Sequence, residues 1–250
     1  MRRFLDFVRI DKHFSKYFNG FYILFNTGLR ISEFVGLTIE DIDFNEHVIY
    51  VNRQLIRLHD GDKMIYYIET PKTENAVRVV PMISDVEEAF REAIANRPKL
   101  KIEPVVWNQE HTESAKGFIW FDKNNNLEVA QHWQNHLRWD RDKFNRIYKD
   151  ELPEISPHVC RHTFCSNLDS SGLSPKTLQR ILGHSSIEVT LNIYTHLEDR
   201  DVKQDFFALI NNKQYDYYSF DRKPETISSN IDFEEEPEVN FNEKIDDDDE

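Results

Sequence analysis

The sequence predicts an α+β fold, mostly helical with a small antiparallel three-stranded sheet, followed by a disordered acidic tail. Three observations predict it. Aromatic residues recur at helical spacing over the first forty positions, alternating strand-like runs flank Asp60-Gly61, and serine–proline pairs and glycines punctuate the chain after position 156. With 250 residues, 39% of them apolar, the chain is long enough for one large domain with a substantial core.

The elements follow in order. Phe14, Tyr17, Phe18, Phe21, Tyr22, Leu24 and Phe25 lie at helical spacing until Thr27-Gly28 interrupts them. A short helix from Leu29 to Val35 stops at Gly36. Val48 to Leu58 alternates as a strand, Asp60-Gly61 is a hairpin signal, Lys63 to Glu69 returns, and Ala76 to Met82 follows a second turn. Ser84 and Glu87 have capping-box spacing for a helix reaching about Asn96. Residues 97–128 read as irregular, with one strand at Phe118–Phe121. Ala130, Trp133, Leu137, Phe144 and Ile147 define a long amphipathic helix. Ser156-Pro157 and Ser174-Pro175 each place a cap before proline at the first helical position, and Gly172 and Gly183 close the helices between. Val202, Phe206, Leu209 and Ile210 make a last apolar stripe, fit to pack on its own domain or on a neighbouring protomer.

Charge divides the chain. Residues 225–250 hold twelve acidic side chains and one basic, Lys244, so of the net −14 only −3 belongs to residues 1–224. The tail has too little apolar content to fold. A body so close to neutral does not carry the basic footprint usual for a nucleic-acid binder. No run approaches the roughly 18 apolar residues of a membrane helix, and no secretory signal is visible. Cys160 and Cys165 are too few for a disulfide framework and lack zinc spacing, which fits a reduced cytoplasmic compartment.

Candidate chemistry lies in dispersed residues. His158 and Arg161 are three apart in the first turns of one helix, where free N–H groups and the dipole already favour an anion. Arg30 precedes Glu33 by three, which by itself reads as an exposed helix ion pair. His184 follows Gly183, Tyr194 comes ten residues later, and Lys72 sits in the turn before the third strand. Each is unremarkable alone.

Together, the segments TGLRISEFVGLTIEDIDF, TPKTENAVRVVPM and PHVCRHTFCSNLDSSGLSPKTLQRILGHSSIEVTLNIYTH resemble the catalytic domain of tyrosine recombinases, the phage integrase family. The nearest likeness is to integrases of conjugative transposons from low-GC Gram-positive bacteria. It covers residues 1–211, leaving 212–224 as a linker and 225–250 as the tail. The resemblance implies site-specific cleavage and rejoining of double-stranded DNA through a 3′-phosphotyrosine, with neither cofactor nor metal. By motif it makes Tyr194 the nucleophile, Arg30 and Arg161 the phosphate-binding pair, and His158 and His184 the two histidine positions. Lys72 becomes the general acid and Glu33 the support of the first arginine. His162 reads as helix packing, the two cysteines as small core residues, and His196 as incidental. The resemblance also implies a homotetramer on DNA, with a core-binding domain preceding the catalytic domain. Met1 falls inside the catalytic domain, so a separately supplied core-binding domain or an excision factor is the expected partner. Two rival readings remain: a truncated, catalytically idle DNA- or partner-binding remnant, and a relaxing enzyme like type IB topoisomerases.

Overall fold

Arg2–Ile10 forms α1 and Phe18–Thr27 forms α2, the latter preceded by a 3₁₀ turn at Ser15–Tyr17. In the computed structural model the described residues are 2–60, 63–70, 77–149, 151–171, 173–183, 206, 207 and 210. Nine of the ten α2 residues are buried, as expected of a helix that is apolar all round and sits inside the domain. Near its end two polar side chains bond back to the helix: Asn26 Nδ2 donates to Tyr22 O at 2.8 Å and Thr27 Oγ1 to Ile23 O at 2.7 Å. Gly28 ends the helix in the left-handed conformation at φ 63°, where a Cβ would also meet the Phe164 ring at 2.5 Å. The chain then turns into α3, Ile31–Val35.

Ile42–Asp43 (β1), Val48–Val51 (β2), Gln54–Asp60 (β3), Lys63–Glu69 (β4) and Arg78–Pro81 (β5) follow. The expected three-stranded sheet exists, but its strands are not the three expected. The run from Val48 to Leu58 breaks at Asn52-Arg53, where Arg53 donates to Asp41. β2 then pairs antiparallel with β1 and β5, with Val51 opposite Arg78, while β3 and β4 form a separate hairpin. Ser84–Ala95 forms α4, whose N-cap is Ile83 rather than Ser84. The anticipated capping box is absent because Ser84 already lies inside the helix and Glu87 turns to His47. Within the irregular stretch, Val106–Trp107 (β6) pairs with Ser114–Ala115 (β7). Phe118 and Phe121 make only isolated bridges, to Thr38 and Leu127.

Ala130–Tyr148 forms α5, Pro157–Ser170 α6 and Pro175–Leu182 α7. Both serine caps form as expected: Ser156 Oγ accepts from Val159 N at 3.3 Å and Ser174 Oγ from Thr177 N at 3.1 Å. Gly183 takes the left-handed φ of 64° that closes α7. Gly172, Val202 and Leu209 lie outside the described residues, whereas Phe206 is buried in the core of its own domain.

α2 is the hub, with α4 and α6 packed on it and α1 bridging it to α5. Trp133 of α5 lies edge-on to Phe21, Phe34 and Trp120, and Phe144 lies edge-on to Phe4 and Phe7. Each such pair contributes about 0.5–1.5 kcal/mol beyond its buried area. Close approach of α2 and α5 depends on Gly20, where a Cβ would stand 2.1 Å from the Trp133 ring.

α5 also buries a carboxyl group. Asp140 is wholly inaccessible and neither side-chain oxygen has a hydrogen-bond partner. Burial first, then the charge of Asp11, pushes its pKa up to about 8 against a small opposing effect of Lys143. The folded state therefore holds a proton that the unfolded chain releases near pH 4, so stability falls as pH rises between about 4 and 8. Asp140→Asn should leave the melting temperature near wild type at pH 5 and raise it by several degrees at pH 8.5. Equal melting temperatures at pH 8.5 would show that the buried carboxyl carries no such penalty.

Candidate active site

The site grows from two helix ends. The last carbonyls of any helix lack intrahelical partners, and those of α7 point at the break after α2. Gly183 N closes back on Gln179 O at 2.8 Å and Arg180 O at 3.3 Å. The next three carbonyls each receive an arginine. Arg78 Nε donates to Ile181 O at 2.7 Å, Arg161 Nη2 to Leu182 O at 2.5 Å, and Arg30 Nη2 to Gly183 O at 3.0 Å. Arg161 Nη1 also donates to Gly28 O at 2.5 Å, so one guanidinium joins both glycine-terminated helices. Cations at a helix C-terminus are favoured by the dipole as well as by the free carbonyls.

Glu33 sets the charge balance. Its Oε1 accepts from Arg30 Nη1 at 2.9 Å and Arg78 Nη1 at 2.8 Å. Its Oε2 accepts from the Arg30 backbone N at 2.8 Å and Arg78 Nη2 at 2.8 Å. All four acceptor positions of the carboxylate are filled. Burial pushes its pKa up, but the hydrogen bond and charge of Arg78, followed by those of Arg30, outweigh burial and hold it below the ordinary range. Glu33 binds two of the three guanidinium groups, Arg30 and Arg78, while Arg161 feels its charge without a hydrogen bond to it among the described residues. Burial first, then the charges of Arg30 and Arg78, lower the pKa of Arg161 to about 10. An arriving anion relieves that repulsion.

Of the residues singled out by sequence, Arg30, Glu33 and Arg161 are brought together here. Arg161 is buried while Arg30 keeps 40% of its side chain exposed, presenting an open edge. His158 lies on α6 one turn before Arg161 and is exposed. Its Nε2 is 2.8 Å from Nε2 of His162, with the rings perpendicular at 88°, so one donates to the other. His162 is therefore exposed and not helix packing, because the i, i+4 position puts it beside His158 on the outer face. Cys160 is buried and Cys165 half-buried against the core, as expected. Lys72, His184, Tyr194 and His196 lie outside the described residues. Among the described residues no three His, Cys, Asp or Glu side chains form a metal-binding group, and no helix is long and apolar enough to cross a membrane.

Sequence reasoning missed Arg78. A signal was available: in a strand from Ala76 to Met82, alternation puts Arg78 on the same face as Val80 and Met82, both buried. A charge on a buried face needs a partner, and Glu33 is that partner.

Residues 1–201 match the model of the phage integrase family. The chain belongs to the phage integrase family. It is 39% identical over 194 residues to the transposase from transposon Tn916 of Enterococcus faecalis, a match covering 78% of this chain and 45% of that protein. A tyrosine recombinase XerC-like protein of Caldanaerobacter subterraneus is 34% identical over 185 residues, covering 71% of this chain and 44% of that one. The chain thus spans about half the length of these relatives. Among solved structures, the Tn1549 transposon integrase (residues 82–397) in complex with circular intermediate DNA superposes with a TM-score of 0.67 at 37% identity, over 82% of this chain and 64% of that one. XerA recombinase, at 20% identity and a TM-score of 0.53, shares the fold.

Within this family member, Glu33 is the counter-charge of the centre. Glu33→Gln should cost about 3 kcal/mol of stability, because it leaves a buried cation uncompensated and turns amide hydrogens toward guanidinium donors. Urea unfolding measures it, and a midpoint equal to wild type would contradict the charge balance described.

Proposed function

We propose that this chain is the catalytic portion of a site-specific DNA recombinase of the conjugative-transposon type, which cleaves and rejoins duplex DNA through a 3′-phosphotyrosine on Tyr194. The observation that carries this reading is the over-charged arginine cluster. Arg30 from the α2–α3 turn and Arg161 from α6 meet at the end of α7 with more positive charge than Glu33 neutralises. Guanidinium forks match phosphate oxygens bidentately, and the motif supplies the reacting groups around them.

The chemistry balances without an external energy source. The Tyr194 oxygen attacks phosphorus and its proton passes to a histidine, His158 or His184. The bond from phosphorus to the 5′-oxygen breaks, and Lys72 protonates that leaving oxygen. One phosphoester replaces another, so the reverse reaction rejoins the strand. Arg30 and Arg161 oppose the charge that builds on the pentacoordinate phosphorus, an effect worth about 3–4 kcal/mol per donor.

The same reading assigns residues 1–211 to the catalytic domain, 212–224 to a linker and 225–250 to an acidic tail. It makes duplex DNA the partner, a homotetramer on DNA the working assembly, and a separate core-binding domain or an excision factor an accessory. The cytoplasm is the compartment, and neither a cofactor nor a metal is required.

The test is a nicked suicide duplex carrying a candidate attachment site, run with and without added core-binding domain on a denaturing gel. Wild type should trap DNA covalently and Tyr194→Phe should not. A leaving 5′-oxygen replaced by sulfur, which needs no proton, should restore Lys72→Ala but not Arg161→Ala. Equal trapping by wild type and Tyr194→Phe would favour the idle-remnant reading.

A further inference from the structure

β5 carries one charged side chain into the interior. The Arg78 side chain is fully buried, and its guanidinium reaches Glu33 on one side and the Ile181 carbonyl on another. The fork holds both oxygens of Glu33, and Nε holds the Ile181 carbonyl at the end of α7. A lysine cannot reproduce this, since its ammonium is a single point on a flexible stem. Stability does not ask for the arrangement either, because a buried ion pair replaced by apolar side chains of like volume is often as stable or more so.

Two partners of Arg78, Glu33 and the Ile181 carbonyl, adjoin catalytic positions. Glu33 gives its remaining two acceptor sites to Arg30, so a carboxylate clamped by Arg78 fixes the Arg30 guanidinium in turn. The Ile181 carbonyl belongs to the corner immediately before His184. Arg78 itself lies six residues after Lys72, in a strand whose backbone is held opposite Val51. Its stem is pressed against Gly183, where a Cβ would stand 2.8 Å from Arg78 Cδ.

We propose that Arg78 is a positioning residue of the recombination centre. It holds Arg30 in register through Glu33, while the Ile181 carbonyl and Gly183 fix where its own side chain lies. This deepens the function proposed above and rests on it. Arg78 touches no phosphate; it acts through Arg30.

Single-turnover cleavage of the nicked suicide duplex at saturating protein tests this in the full chain, beside wild type and Tyr194→Phe. Arg78→Lys keeps the buried charge against Glu33 and loses only the fork, so it is the primary variant. It should cut the saturating cleavage rate about 100-fold, the scale of an ångström misplacement, while the protein concentration giving half-saturation stays near wild type. A purely structural role would move the melting temperature and leave the rate of the folded fraction unchanged. In a double-mutant cycle, Arg78→Lys added to Arg30→Ala should slow cleavage by no more than about twofold beyond Arg30→Ala alone, the limit of ordinary additivity error. Wild-type cleavage by Arg78→Lys, or losses that multiply in the double variant, would overturn the proposal while the function stands. Absence of cleavage by wild type itself would overturn both.

Discussion

One carboxylate among three guanidinium groups is the constraint on which the rest of the site depends. Glu33 is 3% exposed and has every acceptor position filled, so neither it nor its partners can move independently. Each arginine also caps one carbonyl of the same helix end. These hydrogen bonds join four segments distant in sequence: the α2–α3 turn, β5, α6 and the end of α7. Burial is the first cause of the lowered Arg161 pKa and the charges of Arg30 and Arg78 the second; a bound anion would offset the second.

The fold serves this cluster by stopping helices at chosen places. Gly28 and Gly183 both take left-handed backbone and each leaves a carbonyl for an arginine. Continuing either helix by a turn would withdraw that carbonyl into the helix ladder. The aromatic packing of Trp133, Phe34 and Trp120 fixes α3 against α5, and Trp120 Nε1 donates to the Phe34 carbonyl at 2.9 Å, within α3 itself. Core packing therefore reaches the helix that carries Glu33.

Much of this was legible in the sequence, for identifiable reasons. Serine caps, proline at the first helical turn and helix-closing glycines act locally, so α6 and α7 begin and end where Ser156, Ser174 and Gly183 indicate. The long α5 follows from its 3.6-residue apolar period. What failed depended on distant partners. Nothing near Asn52 shows that Arg53 would turn to Asp41 and divide one strand into two sheets. Ser84 and Glu87 have cap spacing, yet Glu87 is drawn to His47 from the turn before β2. Motif resemblance indicated Arg30, Arg161 and Glu33 as the support of Arg30, without saying what holds Glu33 itself. Arg78 stands inside the segment TPKTENAVRVVPM, and only its place on a buried strand face points to its role.

The central claim is that the cluster recognises the charge of one phosphate, and that claim can be measured without any chemistry occurring. Binding of the Tyr194→Phe protein to a duplex with the ordinary scissile phosphate is compared with binding to the same duplex carrying an uncharged methylphosphonate there. Affinity should fall about tenfold on neutralisation, the scale of one charge-assisted contact. The difference should vanish when Arg161→Ala is added. Equal affinity for the two duplexes would contradict the account.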